Sequence, residues 1–533
     1  MRVLIFHGYL LSGTGSNVYN ASLATALAAD GHEVHLVCQD RSGLELEAGT
    51  SGSVQIHNPD IGGLLPVFVN DAYDGFEVKT FAELSDDELA SYLDCNVTFV
   101  RELVGELGGV DATLANHLVM GPVIVARAGL RYALKVHGSD LSYTVLPQLD
   151  RFGPYAKEAC EGANGILVGS GHIADRLRQA VDDPETNAKV RLGPPGVDTD
   201  LFAPIPRPKR AQRLSELALE LRRTGQLGKS GSTGDVARAG GTAGAPTPST
   251  RRERRGGGDR GERTRKPSAW DRDTSVAADA LDWFADTQGP RVIFVGKLIV
   301  SKGVDLLLAA WPLVRRQNPG ARLLIVGFGS AEQALRGVVD GFADGDLGPL
   351  HELARQGRGA EGGEPKRLAM LGAFLDQLPD DFAATARTAA PDIHFAGRLE
   401  HSEVATPVAA SDALIFPSTF PEAFGMVAAE AASAGALPVS AAHSGAAEVS
   451  RELADVLPEA IRWLVSFELD AEAVASIAAR INGWLELDGP RREPASEALR
   501  ETVRRLWSWN GVAATVLAAS AGELEPLLRP LAD

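Results

Sequence analysis

"RVLIFHGYLLSGTGSNVYNASLATALAADGHEVHLV", residues 2–37, holds one complete strand–helix–strand unit. "RVLIFH" is a short apolar run, the pattern of a strand covered on both faces. "SNVYNASLATALAAD" follows as a helix that Gly31 stops. "HEVHLVCQ" is the next strand. Such alternation is the pattern of a parallel sheet with helices on both faces.

The same punctuation recurs along the chain. "DATLAN", "YALKVHG" and "GILVGS" are further strands, each followed by a plausible helix. "GPPGVDTDLFAP" (193–204) breaks the series with prolines and glycines. Beyond it, 224–268 is poor in large apolar residues and rich in Gly, Ser, Thr and Arg, so it cannot offset its ordering entropy by burial. Strands resume with "RVIFVG", "ARLLIVGFG", "DIHFAG", "DALIFPS" and "ALPVSA". The fold class is therefore α/β, with two doubly wound parallel sheets in tandem. The expected divisions are a first domain over 1–204, a disordered insertion over 205–288, and a second domain over 289–500. That second domain is interrupted at about 331–390, where the spacing between strands exceeds a usual crossover. Residues 501–533 read as terminal helices hinged at "SWNG" that pack back toward the first domain.

Of 533 residues, 44% are hydrophobic and 23% charged, an ordinary globular composition. The formal net charge of -18 disfavours nucleic acid as the main partner. Three cysteines without a CxxC pair suggest neither a zinc site nor a disulfide framework. The N-terminus lacks the features of a signal peptide, and no apolar run reaches about 20 residues. A cytoplasmic protein is expected; peripheral contact with the inner membrane face is compatible with this composition.

Ligands of open α/β sheets bind beyond the carboxyl ends of strands, so the turns there carry the candidate chemistry. "HGYLLSGTGSN" brings Gly13 and Gly15 to a helix start, where an anion is favoured. Val18 stands where a dinucleotide fingerprint needs its last glycine. "VGKLIVSKG" places Lys297 and Lys302 just past a strand, able to converge on a diphosphate; alone, they read more readily as solvated surface lysines. "PEAFGMVAAEAASAG" (421–435) sets Glu422 in a loop and Glu430 inside a helix. The N–H groups of Gly425, Met426 and Val427 would face a phosphate there, and Glu430 would accept from a pair of hydroxyls. Alone, the same acids read as a helix-dipole partner and a solvated residue. "KVHGSDL" places His137 and Asp140 at a strand end.

In this order, the glycine turn, HGSD, GKLxxxKG and E-x7-E resemble the retaining GT-B glycosyltransferases, specifically the family 4 group of bacterial sugar transferases. "ALAADGHEVHLV", "PPGVDTDLF", "FAGRL" and "DALIFPS" add to the resemblance, which covers about 1–204 and 291–450. It implies a GT-B architecture, two Rossmann-like domains facing a central cleft, acceptor side first and donor side second. It implies that Gly15 approaches the donor phosphates and that Lys297 and Lys302 neutralise the diphosphate. Glu422 would contact the donor sugar, Glu430 the ribose, and the backbone of Gly425, Met426 and Val427 the sugar and phosphate. His137 would lie near the sugar and leaving group, and Arg398 near the base. On this assignment the catalytic residues are His137, Glu422 and Lys302. The substrates are a nucleotide sugar and an unidentified small-molecule, lipid or glycan acceptor; no cofactor and no metal are implied.

The chain also departs from the family pattern. Lys297 replaces a usual arginine, losing a bidentate fork. Thr14 replaces a glycine, Phe328 stands where an aspartate is common, and a glycine-rich segment is missing after Glu448. The "DTD" at 198–200 sits in the linker motif and reads as structural. Beside sugar transfer stand a nucleotide-sugar epimerase or phosphorylase of the same architecture, and a non-catalytic nucleotide-sugar-binding protein.

Overall fold

The computed structural model describes residues 1–11, 15–41, 52–68, 73, 75–230 and 272–530. Gly13 and Thr14 lie outside these residues, as does most of the low-complexity stretch.

In the first half the strands are β1 (Arg2–Phe6), β2 (Glu33–Val37), β3 (Ser53–His57), β4 (Leu64–Val67), β5 (Glu77–Thr80), β6 (Ala112–Asn116), β7 (Tyr132–Val136), β8 (Ala163–Val168) and β9 (Val190–Leu192). Seven of them form one sheet in the order β3-β2-β1-β6-β7-β8-β9, and β4 and β5 pair separately. In the second half β10 (Arg291–Val295), β11 (Arg322–Val326), β12 (Ile393–Gly397), β13 (Ala413–Phe416), β14 (Leu437–Ala441) and β15 (Ser466–Phe467) form a sheet in the order β12-β11-β10-β13-β14-β15. Every pairing is parallel. The reason is in the strands: Val3, Leu4 and Ile5, like Leu323, Leu324 and Ile325, are wholly buried, so both sheet faces must carry helices. In each sheet the order reverses beside the first strand, which opens a crevice at the strand ends.

The stretch 205–288, expected to be disordered, is ordered at both flanks, which corrects that expectation there. Residues Arg210–Ser230 and Thr274–Ala285 are helices that pack on one another. Leu214, Ala218 and Leu221 meet Ala277, Leu281 and Phe284 within the core of the second domain. Arg222 ties the two, donating to Asp279 and Asp282 at 2.7 Å each. The glycine-rich composition between them masks an amphipathic period on either side. Between β11 and β12, Glu332–Asp344, Gly348–Gln356, Ala369–Leu375 and Phe382–Ala389 are four helices, buried through Leu335, Phe342, Leu353 and Phe382.

The tail returns to the first domain. Helix Gly489–Leu506 packs on helix Met426–Ser433, and helix Trp509–Ala521 lies against helix Gly15–Ala29 and across β6, β7 and β8. Ser520 accepts from the backbone N–H of Thr113 at 2.9 Å, and the linker joins the tail through Val197 N–H and Trp507 O at 2.7 Å. No described helix is long and apolar enough to cross a membrane.

Candidate active site

The turn after β10 carries both candidate lysines. Gly303 has φ 68°, and a Cβ on it would stand 2.0 Å from Pro417 O, so only glycine lets this turn lie against the loop after β13. Thr419 N–H donates to Ser301 O across the seam at 2.8 Å. Lys302 Nζ thereby reaches Glu422 Oε1 at 2.5 Å, over the Phe416 ring at 5.7 Å. Two residues from motifs 120 positions apart form one ion pair. Ser418 Oγ donates to the same carboxylate oxygen at 2.6 Å, and Glu422 N–H donates to Ser444 Oγ at 2.8 Å. Lys297, by contrast, is exposed and makes no ion pair among the described residues.

Helix Met426–Ser433 begins at Gly425, whose φ of 110° turns the chain into it. Its alanines are a packing device: Ala428, Ala429, Ala431 and Ala432 are all buried, letting neighbouring backbones approach closely. The N–H groups at its first turn have no intrahelical acceptor, and Met426 and Val427 are half-buried rather than sealed. Glu430, inside this helix, is 5% exposed and accepts from His401 Nε2 at 2.8 Å. Burial alone would lower the His401 pKa; the hydrogen bond and charge of Glu430, with Asp198, outweigh it and raise it. Arg398 is held 3.1 Å from Glu400 and 5.8 Å over the Phe328 ring.

Across from these residues stands the end of β7. His137 is half-buried, its Nε2 2.8 Å from Asn116 Oδ1. Asp140, fully buried, accepts from Gly138 N–H at 2.8 Å and from Leu118 N–H. It is therefore a staple that joins the turns after β6 and β7. Burial pushes its pKa up against those backbone hydrogen bonds. A Cβ on Gly138 would sit 3.4 Å from that of Ala423, so the His137 turn touches the residue beside Glu422. Tyr143 and Phe420 stack across the same seam at 6.2 Å. Glu448, from the second domain, accepts from the N–H groups of Gly171 and His172 at 2.8 and 3.1 Å, where helix Gly171–Ala180 begins. Gly15 opens helix Gly15–Ala29, and among the described residues nothing lies within 4 Å of where a Cβ would be.

The structure thus brings Lys302, Glu422 and the first turn at Gly425 together, with the His137 turn packed alongside. Glu430 and Arg398 occupy a second corner of the same domain. Sequence reasoning passed over Ser418, Ser444, His401, Asn116 and His117. His117 takes φ 67°, its ring 4.7 Å from that of His137, and among the described residues neither ring nitrogen has a hydrogen-bond partner. The "ANH" at 115–117, ending a strand, was the available signal. Asp198 of the DTD string accepts from Asp200 and Leu201 N–H at 3.1 and 2.9 Å, forming a turn. Among the described residues no cluster of three acidic, His or Cys side chains is arranged to hold a metal.

Residues 13–201 match the model of Glycosyltransferase Family 4, and 289–346 and 380–502 match models of Glycosyl transferases group 1. Among curated proteins, the glycogen synthase of Mycobacterium tuberculosis is 26% identical over 257 residues, covering 46% of this chain. The match spans about half the length of that relative, 48%. Among solved structures, sucrose-phosphate synthase from Thermosynechococcus elongatus aligns with TM-score 0.53 and 16% identity over 96% of both chains. HepE of Anabaena, solved in complex with UDP-glucose, aligns with TM-score 0.52 and 16% identity over 98% of this chain and all of its own. A glycosyltransferase from Rickettsia africae aligns with TM-score 0.54 and 13% identity over 98% and 99%.

Proposed function

Because the chain belongs to the family 4 type of GT-B glycosyltransferases, we propose that it transfers a sugar from a nucleotide-sugar donor to a hydroxyl acceptor with retention of configuration. The observation that carries this reading is the Lys302–Glu422 pair set beside a helix start, with the His137 turn against Ala423. A diphosphate at the first turn of helix Met426–Ser433 would meet the N–H groups of Gly425, Met426 and Val427, and share Lys302 with Glu422. Lys297, exposed on the same turn, would close on the distal phosphate. Glu422 would then turn its carboxylate to the sugar hydroxyls. Glu430, fixed by His401, would accept from the ribose, and Arg398 with Phe328 would flank the base. Gly15 offers room for phosphate at the opposing domain.

The anomeric C1–O bond to the diphosphate breaks as the acceptor oxygen forms its bond to C1 on the same face. The acceptor proton passes to the departing phosphate oxygen. Charge grows on that phosphate, and Lys302 and the helix start stabilise it. This reading routes no step through a metal, so chelation by EDTA should leave the transfer rate unchanged.

HepE, a structural neighbour, binds UDP-glucose, so UDP-glucose is the first donor to test. A thermal-shift screen of UDP-, GDP- and ADP-sugars should show one raising the melting temperature, because a ligand bound only to the native state stabilises it. Transfer or donor hydrolysis should follow with that donor and vanish in Lys302→Ala and Glu422→Ala. Wild-type rates in both variants would overturn the site.

A further inference from the structure

The hydrogen bonds behind His137 all run one way. His7 Nε2 faces Leu10 O at 3.0 Å and Asn17 Oδ1 at 2.9 Å. Both atoms only accept, so His7 carries its proton on Nε2. Its Nδ1 then accepts from Asn20 Nδ2 at 3.0 Å. The same amide nitrogen donates to Ser16 O at 2.8 Å, which fixes the amide and leaves Asn20 Oδ1 to accept from Asn116 Nδ2 at 2.7 Å. Asn116 Nδ2 also donates to Phe6 O at 3.1 Å, so its orientation is fixed as well. Its Oδ1 faces His137 Nε2 at 2.8 Å. An amide oxygen cannot donate, so His137 must hold its proton on Nε2. Among the described residues its Nδ1 has no partner.

We propose that Asn116 is a positioning residue, which locks His137 in the Nε2–H form so that Nδ1 meets substrate as a hydrogen-bond acceptor for a sugar hydroxyl. This rests on the reading of the cleft given above. His137 in this role is an acceptor and not an acid. Its surroundings keep the ring neutral: burial first, then the nearby His117, Lys135 and His7. Tyr19 covers it edge-on at 5.2 Å, and Asp140 spends its carboxylate on backbone N–H groups. Asn116 is 1% exposed, so it can bear on a substrate only through the histidine.

The test begins with nitrogen-15 NMR of the labelled full chain, with His137→Gln to assign the ring. The wild type should show a neutral His137 protonated on Nε2 at pH 7. Asn116→Leu should show a mixture of both ring forms. Its UDP-glucose hydrolysis should lose about tenfold or more in kcat, the scale seen when partners that orient a histidine are removed from metal sites, with KM nearly constant. Asn116→Asp retains an acceptor for His137 Nε2 and adds a charge that raises the His137 pKa, while it loses the donor to Asn20 Oδ1 and Phe6 O. Its rate, lower than wild type throughout, should fall further as pH drops through the raised value and rise again in alkali. That variant decides the matter should Asn116→Leu not fold. A wild-type ring protonated on Nδ1, a kcat unchanged in Asn116→Leu, or a wild-type pH profile in Asn116→Asp would each overturn the proposal. A wild type that binds no nucleotide sugar would instead sink the proposed function, while the ring form read by NMR still stands or falls by itself.

Discussion

Among the described residues the Lys302 ammonium has one carboxylate partner, Glu422, and both side chains are less than a third exposed. Lys302→Ala would therefore cost stability as well as turnover, on the order of 1 kcal/mol, because it leaves a partly desolvated carboxylate without its cation, held by the Ser418 hydroxyl. Urea unfolding measures the first effect and donor turnover the second. Three residues on, Asp305 is buried, and desolvation raises its pKa from 3.8 to about 7. The folded chain thus keeps a proton that the unfolded chain releases. Stability is complete below the unfolded value, falls as pH rises toward 7, and stays reduced above it. Asp305→Asn should flatten that decline in melting temperature between pH 5 and 8. The residue scale is also where sequence was least sufficient. Glu430 is half of an E-x7-E spacing on paper, yet its hydrogen bond to His401 depends on a strand and helix 29 positions away.

Among the elements, helix Met426–Ser433 shows why composition misleads. An alanine-rich segment resembles a surface helix, but here the small side chains set how near the helix lies to β13, β14 and helix Gly489–Leu506. Ala432 is 0% exposed, so Ala432→Leu should cost about 1–3 kcal/mol by overpacking, seen as a lower urea midpoint. The strands were legible because a continuous apolar run of four or five residues has few other uses. The helices at 210–230 and 274–285 were not, since the glycine- and arginine-rich stretch between them dominated any window that included it.

For the molecule as a whole, the tail and Glu448 bind the two domains. Helix Trp509–Ala521 buries Val512, Ala513, Val516 and Ala519 against the first domain. A chain ending at Ser508 should expose the apolar surface of the first domain that this helix covers and melt lower, with aggregation visible in light scattering. Glu448→Ala removes the second domain's carboxylate from Gly171 and His172, so small-angle scattering should report a larger radius of gyration.

The sequence by itself determined the two parallel sheets, because burial on both faces demands uninterrupted apolar strands, and it placed glycines, lysines and glutamates at their ends. The order of those motifs was enough to suggest sugar-transfer chemistry. Only the tertiary structure decided which of them meet. Lys302 reaches Glu422 because Gly303 admits Pro417, and His137 is oriented by an amide chain drawn from β1, β6 and helix Gly15–Ala29. Lys302 and Glu422 are 120 positions apart and Asn116 and Asn20 are 96 apart, and hydrogen-bond direction is a property of atoms in space that no spacing along the chain encodes.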